Sequence, residues 1–288
     1  MTACGTVEAR IQGDSRSYKQ GSIRTHKSLF RNNTACLRQL LLAICFFVWC
    51  AALPAQTLVV SAAASLKEAL TDVNSAYSAK HSGVKIDLNL AGSGALQQQI
   101  EQGAPVDVFI SAAARQMEQL VAKGFILDGS VRNLLENQIV LIGPAGATRP
   151  ASFAALADPS LKHIAIGEPT SVPAGQYALQ IFEFFHLMEA VKPRLVFGKD
   201  VRMVLTYVET GNADCGLVYL TDARQSGKVA ILSTAPPESH DPVVYSAAVI
   251  KGTKQAAAAG DYLDFLQSPE ASVLFEKRGF RTPASPDR

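Results

Sequence analysis

The sequence predicts an α/β protein built as two lobes, and two observations carry that expectation. Short runs rich in β-branched residues alternate with amphipathic segments of helical length, and two strong breaks divide the chain. The apolar runs are residues 58–61, 84–90, 106–110, 139–142, 164–166 and 216–219. Helical patterns begin between them near Ser65, Ser93, Ala113, Pro173 and Val201, and two more cover 254–267 and 269–277. This alternation is the pattern of a parallel sheet whose strands are joined through helices. No segment recurs at a fixed period, which argues against a solenoid or propeller. The breaks are Gly143-Pro144-Ala145-Gly146 and Pro236-Pro237-Glu238-Ser239. A crossing near Asn137 and a return near Pro237 divide the chain into a discontinuous first lobe, 56–137 plus 238–288, and an inserted second lobe, 138–237.

The first 55 residues read differently. Residues 40–53 are an unbroken apolar run of 14, preceded by Arg31 and Arg38 and followed by Pro54-Ala55. A short apolar stretch with a basic flank is the pattern of a secretory signal peptide, whereas a membrane-spanning helix needs about 20 apolar residues. Cleavage is expected after Ala55, with Leu53 standing where a small residue is usual. Phe47-Val48-Trp49 are too bulky before Cys50 for the common lipidation signal.

Removal of the leader reverses the charge. Of 27 basic and 25 acidic residues, seven and two lie in residues 1–55, so 20 and 23 remain and the net charge becomes about −3. A surface of that balance does not suit a polyphosphate partner, which excludes nucleic acid as the natural ligand. Cys4, Cys36, Cys45 and Cys50 leave with the leader, and Cys215 remains with no intramolecular disulfide partner. Stability then rests on a hydrophobic core, which a chain of about 230 residues is long enough to bury.

The informative residues stand where strands give way to helices, because ligands of open α/β sheets gather at the carboxyl ends of strands. In Ser61-Ala62-Ala63-Ala64-Ser65-Leu66-Lys67-Glu68, Ser65 reads either as a helix N-cap in a capping box with Glu68 or as a ligand donor. In Ala91-Gly92-Ser93-Gly94-Ala95, Ser93 reads either as a turn serine or as a donor whose flanking glycines admit a ligand to the backbone. In Ser171-Val172-Pro173-Ala174-Gly175, Pro173 suits the first helical turn, and Ala174 and Gly175 offer N–H groups with almost no side chain. In Gly198-Lys199-Asp200-Val201-Arg202, Asp200 is the natural cap. Four such helix N-termini together can surround an anion with backbone donors and favourable dipoles.

At this point the residues resemble the periplasmic molybdate-binding proteins of ABC importers. The matching stretches are Ser61 to Leu66, Gly92-Ser93-Gly94, Gln98 to Ala112, Gly167-Glu168-Pro169, Val172 to Ala178, Asp200-Val201-Arg202 and Gly216 to Ala223. Their order and spacing span essentially all of the chain after the leader. The resemblance implies a type II periplasmic-binding fold, two α/β lobes with a ligand cleft between them. It implies a non-enzymatic, extracytoplasmic and monomeric protein that captures molybdate or tungstate and delivers it to a membrane permease. The implied ligand residues are Ser65 and Ser93 through hydroxyl and backbone groups, Ala174 and Val201 through backbone N–H, and Tyr219 through its phenol. The oxyanion is held through its oxygens by these residues, with no direct metal ligand and no cofactor. Gly92 and Gly94 differ from many relatives, which carry a further serine or threonine beside the binding serine.

Competing readings are a binding protein for sulfate, phosphate or ferric iron, and an exported hydrolase using Ser65 or Ser93 as nucleophile. The hydrolase needs a histidine base, and no histidine lies near either serine in sequence. His81, His163, His186 and His240 show no zinc-binding spacing, and Asp107 reads as structural. The leader carries its own expectation: the exported protein begins near Gln56. Intact-mass measurement of the secreted product checks this, and retention of residues 40–53 would refute it.

Overall fold

Two five-stranded sheets organise residues 56–283, the part of the chain that the computed structural model describes. The first sheet contains β1 (Gln56–Ala63), β2 (Val84–Ala91), β3 (Val108–Ser111) and β4 (Arg132–Glu136). The second contains β5 (Ile139–Pro144), β6 (Ile164–Gly167), β7 (Leu195–Gly198), β8 (Cys215–Tyr219) and β9 (Val229–Thr234). The chain then returns to the first sheet as β10 (Val244–Val249). Strand order is β2-β1-β3-β10-β4 in one and β7-β6-β8-β5-β9 in the other.

Both sheets are mixed: the parallel pairs expected from the alternation are present, and antiparallel pairs join them. Strand β1 pairs parallel with β2 and β3, and β6 parallel with β7 and β8. Strand β10 runs antiparallel to β3 and β4, and β5 antiparallel to β8 and β9. The reversed strands are the ones on which the chain changes sheet. Strand β4, Arg-Asn-Leu-Leu-Glu, has residues of good helix propensity, and its pairing with β10 overrides that preference.

Among the described residues, seven helices begin close to where the sequence pattern places them, and two short ones, at Met188–Val191 and Leu220–Gln225, were not anticipated. They are α1 (Lys67–Lys80), α2 (Ser93–Glu101), α3 (Ala114–Ala122), α4 (Pro173–Phe184), α5 (Met188–Val191), α6 (Val201–Glu209), α7 (Leu220–Gln225), α8 (Ala256–Leu266) and α9 (Pro269–Lys277). A 3-10 turn, Ala64–Leu66, joins β1 to α1. Leu58, Val60, Val108 and Ile110 of one sheet and Ile139 to Ile142 of the other are fully buried, because helices cover the faces they point into. Asp107 proves structural: its carboxylate accepts from the Val59 N–H at 2.8 Å and from the Thr253 hydroxyl. The apolar run at 40–53 and the expected cleavage point lie outside the described residues. Among the described residues, no helix is long and apolar enough to cross a membrane.

Helix α4 enters unusually close to β6. A Cβ placed on Gly175 would lie 2.0 Å from the Gly167 carbonyl oxygen, so no side chain fits there without moving the helix. Gly175→Ala should therefore lower stability by about 1–3 kcal/mol, the range for overpacking. Denaturant unfolding checks this, and an unchanged midpoint would show that the helix has room to shift.

Candidate functional site

The carboxyl ends of β1, β2 and β3 meet the amino ends of α4 and α6 and the end of β8 around a cavity of about 10 Å3. That is room for roughly one water-sized group, far below the roughly 300–1,000 Å3 of pockets for organic ligands. Ala63, Ala64, Ala91, Gly92 and Ala112 line the first lobe's side. Their small side chains leave the backbone accessible at the place where the helices start.

Four of the five expected residues, Ser65, Ser93, Val201 and Tyr219, border this one cavity. Ser93 is the first residue of α2 and is completely buried. Its Oγ accepts from the Ala112 N–H at 3.0 Å, so the hydroxyl proton remains to be donated. Val201 opens α6, whose cap is Asp200, with Asp200 Oδ1 accepting from the Met203 N–H at 2.9 Å. Asp200 itself borders the cavity, which the sequence reading did not anticipate. Ala174 is the exception: it is buried one position beyond Pro173, and Val172 and Pro173 form the lining there. First-turn N–H groups such as those of Ser93, Ala174 and Val201 have no acceptor in their own helix. The neighbouring Gly175 N–H, expected to be free, bonds to the Val172 carbonyl at 2.9 Å.

Ser65 does not cap its helix. The 3-10 turn runs directly into α1, so the cap position falls on Leu66 in helical conformation with no side-chain bond. Ser65 Oγ instead lies 2.9 Å from the Tyr245 hydroxyl. Tyr219 ends β8, and its hydroxyl is buried with no hydrogen-bond partner among the described residues. Burial, followed by the neighbouring Tyr245, holds its phenol well above the ordinary value. Tyr219 thus stays a neutral O–H donor at the edge of the cavity. Among the described residues no histidine borders the cavity, and Ser93 Oγ meets the Ala112 N–H rather than an imidazole.

Gly94 serves a purpose different from the expected approach of a ligand. Its N–H donates to the Ser171 carbonyl of the other lobe at 2.8 Å, and a Cβ on Gly94 would lie 2.7 Å from Ser171 Cα. The glycine lets the two lobes touch beside the cavity.

A family model for bacterial extracellular solute-binding proteins matches residues 58–281. The chain belongs to that family. The Haemophilus influenzae molybdate-binding protein ModA is 37% identical over 228 residues, 77% of this chain and 88% of its own. YvgL of Bacillus subtilis, described as a candidate ABC transporter substrate-binding lipoprotein, is 44% identical over 78% of this chain and 86% of its own. Among solved structures, the Azotobacter vinelandii periplasmic molybdate-binding protein superposes with a TM-score of 0.71 at 27% identity, covering 79% of this chain and all of that one. The two-lobe type II fold and the resemblance to molybdate-binding proteins are both supported by these likenesses.

The solute-binding protein also carries an ionic cluster next to Val201. The Arg202 guanidinium pairs with Glu68 of α1 in the other lobe. Its Nε lies 3.2 Å from Asp222 Oδ1, close enough for an ion pair though not aligned as a hydrogen bond. Asp222 is fully buried, and burial pushes its carboxyl up to about 7 against the opposing pull of Arg202. Between about pH 4 and about pH 7 the folded state therefore binds this proton more than the unfolded chain does. The contribution of Asp222 to stability should fall as pH rises through that window and level off above it. Unfolding free energies of wild type and Asp222→Asn across these pH values isolate the effect. A difference independent of pH would mean that Arg202 keeps the carboxylate ionised throughout.

Proposed function

We propose that this protein captures a tetrahedral oxyanion, molybdate and also tungstate, outside the cytoplasm and delivers it to an ABC importer. One observation carries the reading: Tyr219, whose buried hydroxyl meets no geometric hydrogen-bond partner among the described residues, borders a small cavity at which helices from both lobes begin. Such a site presents donors and positive helix ends and suits an anion. With room for roughly one water-sized group, its walls must part to admit the four oxygens of a tetrahedral ion. Ser65, Ser93 and Tyr219 supply hydroxyls, and Val201 and Ala174 supply backbone N–H groups. Relatives named for molybdate binding support the choice of ion. The working assignment of lobes is 56–137 plus 238–288 and 138–237, with the signal peptide removed and the protein acting as a monomer. Donors from both lobes meet one ion only when the lobes are together, so ligand favours the closed form through its higher affinity for it.

Selection follows from what the site lacks. Asp200 is the carboxylate at the cavity, and its Oδ1 is committed to capping α6. A fully deprotonated dianion is satisfied by donors alone, whereas hydrogen phosphate buries an O–H that needs an acceptor, at a cost of about 1–3 kcal/mol. Phosphate should bind at least about tenfold more weakly than molybdate at neutral pH. Tyr219→Phe and Ser93→Ala should each weaken molybdate by about 1–3 kcal/mol. Calorimetric titration with molybdate, tungstate, sulfate and phosphate measures all of this. Equal affinity for phosphate and molybdate, or unchanged molybdate affinity in both variants, would overturn the reading.

A further inference from the structure

Two residues that do not border the cavity are linked by hydrogen bonds to a hydroxyl that does. Asn137 lies at the first crossing between the sheets, and its orientation is set because its Oδ1 accepts from the Gln138 N–H at 2.9 Å. The remaining atom, Nδ2, has only hydrogens to give. It gives them to Thr221 Oγ1 at 2.9 Å and to the Tyr245 hydroxyl oxygen at 3.4 Å. The Tyr245 oxygen is a recipient in that bond, so its single proton is directed to its other neighbour, Ser65 Oγ at 2.9 Å.

We propose that Tyr245 and Asn137 are positioning residues of the oxyanion site, holding the Ser65 hydroxyl so that its own proton turns towards the bound ion. The inference rests on the oxyanion reading and goes beyond it to two residues outside the ligand set. Burial, then the charge of Asp222, keeps the Tyr245 phenol well above its ordinary value, so it retains the proton that the chain of bonds requires. Thr221 belongs to the second lobe's α7, whereas Ser65 belongs to the first, so the chain of bonds passes through the crossing itself.

The test is a double-mutant cycle on the purified protein, titrated calorimetrically with sodium molybdate. Tyr245→Phe keeps the ring that packs edge-on against Phe280 at 5.5 Å and removes only the hydroxyl. It should weaken molybdate roughly two- to tenfold, the span of one net hydrogen bond. In a Ser65→Ala background the same change should weaken it no further, because the atom through which Tyr245 acts is gone. Asn137→Ala gives a second cycle through the same hydroxyl, with the same expected loss of effect. A tyrosine that only supports packing would lower affinity equally in both backgrounds, and additive losses would overturn the proposal. So would unchanged affinity in both Tyr245→Phe and Asn137→Ala. A wild-type protein that binds no molybdate would overturn the functional reading itself and the relay with it.

Discussion

A first-turn N–H group has no acceptor within its own helix, and it must find one elsewhere or face solvent. Helices α2, α4 and α6 begin around one small space, and the 3-10 turn carrying Ser65 joins them there. The concentration of donors without acceptors explains the remaining design. Alanines and glycine line the space because a larger side chain would cover the N–H groups. The one phenol that enters, Tyr219, adds another proton rather than an acceptor, and its burial keeps that proton in place. Donors crowded in this way repel one another electrostatically unless negative charge arrives, which is why the arrangement reads as a receptacle for an anion.

The donors come from two sheets, so their convergence depends on how the lobes touch. Gly94 meets Ser171 backbone to backbone at 2.8 Å, and Arg202 joins Glu68 across the same divide. The Tyr177 hydroxyl donates to the Ala112 carbonyl at 3.4 Å, linking α4 to the end of β3. Beside these polar contacts, buried apolar residues of both sheets belong to one continuous hydrophobic cluster. The antiparallel strands β5 and β10 carry the chain across, and Asn137 sits beside that crossing.

The amino-acid sequence by itself determined the local features. Small and hydroxyl residues before helical patterns marked the helix starts, because capping and first-turn chemistry act over three or four residues. Ser93 was legible as a cavity-lining residue from that chemistry, Val201 and Tyr219 from the family resemblance alone, and Asp200 as a cap. Tertiary structure decided everything that depends on residues distant in the chain. Ser65 reads locally as an N-cap, yet its partner is Tyr245, 180 positions away. Residues 132–136 carried no strand signal in the sequence and become β4 because β10 lies beside them. Gly94 reads as an opening for a ligand and proves to be the contact point for Ser171. Local signals record the chemistry of neighbours along the chain. Pairing, burial and the meeting of the two lobes arise from long-range packing, which leaves no mark within a short window of sequence.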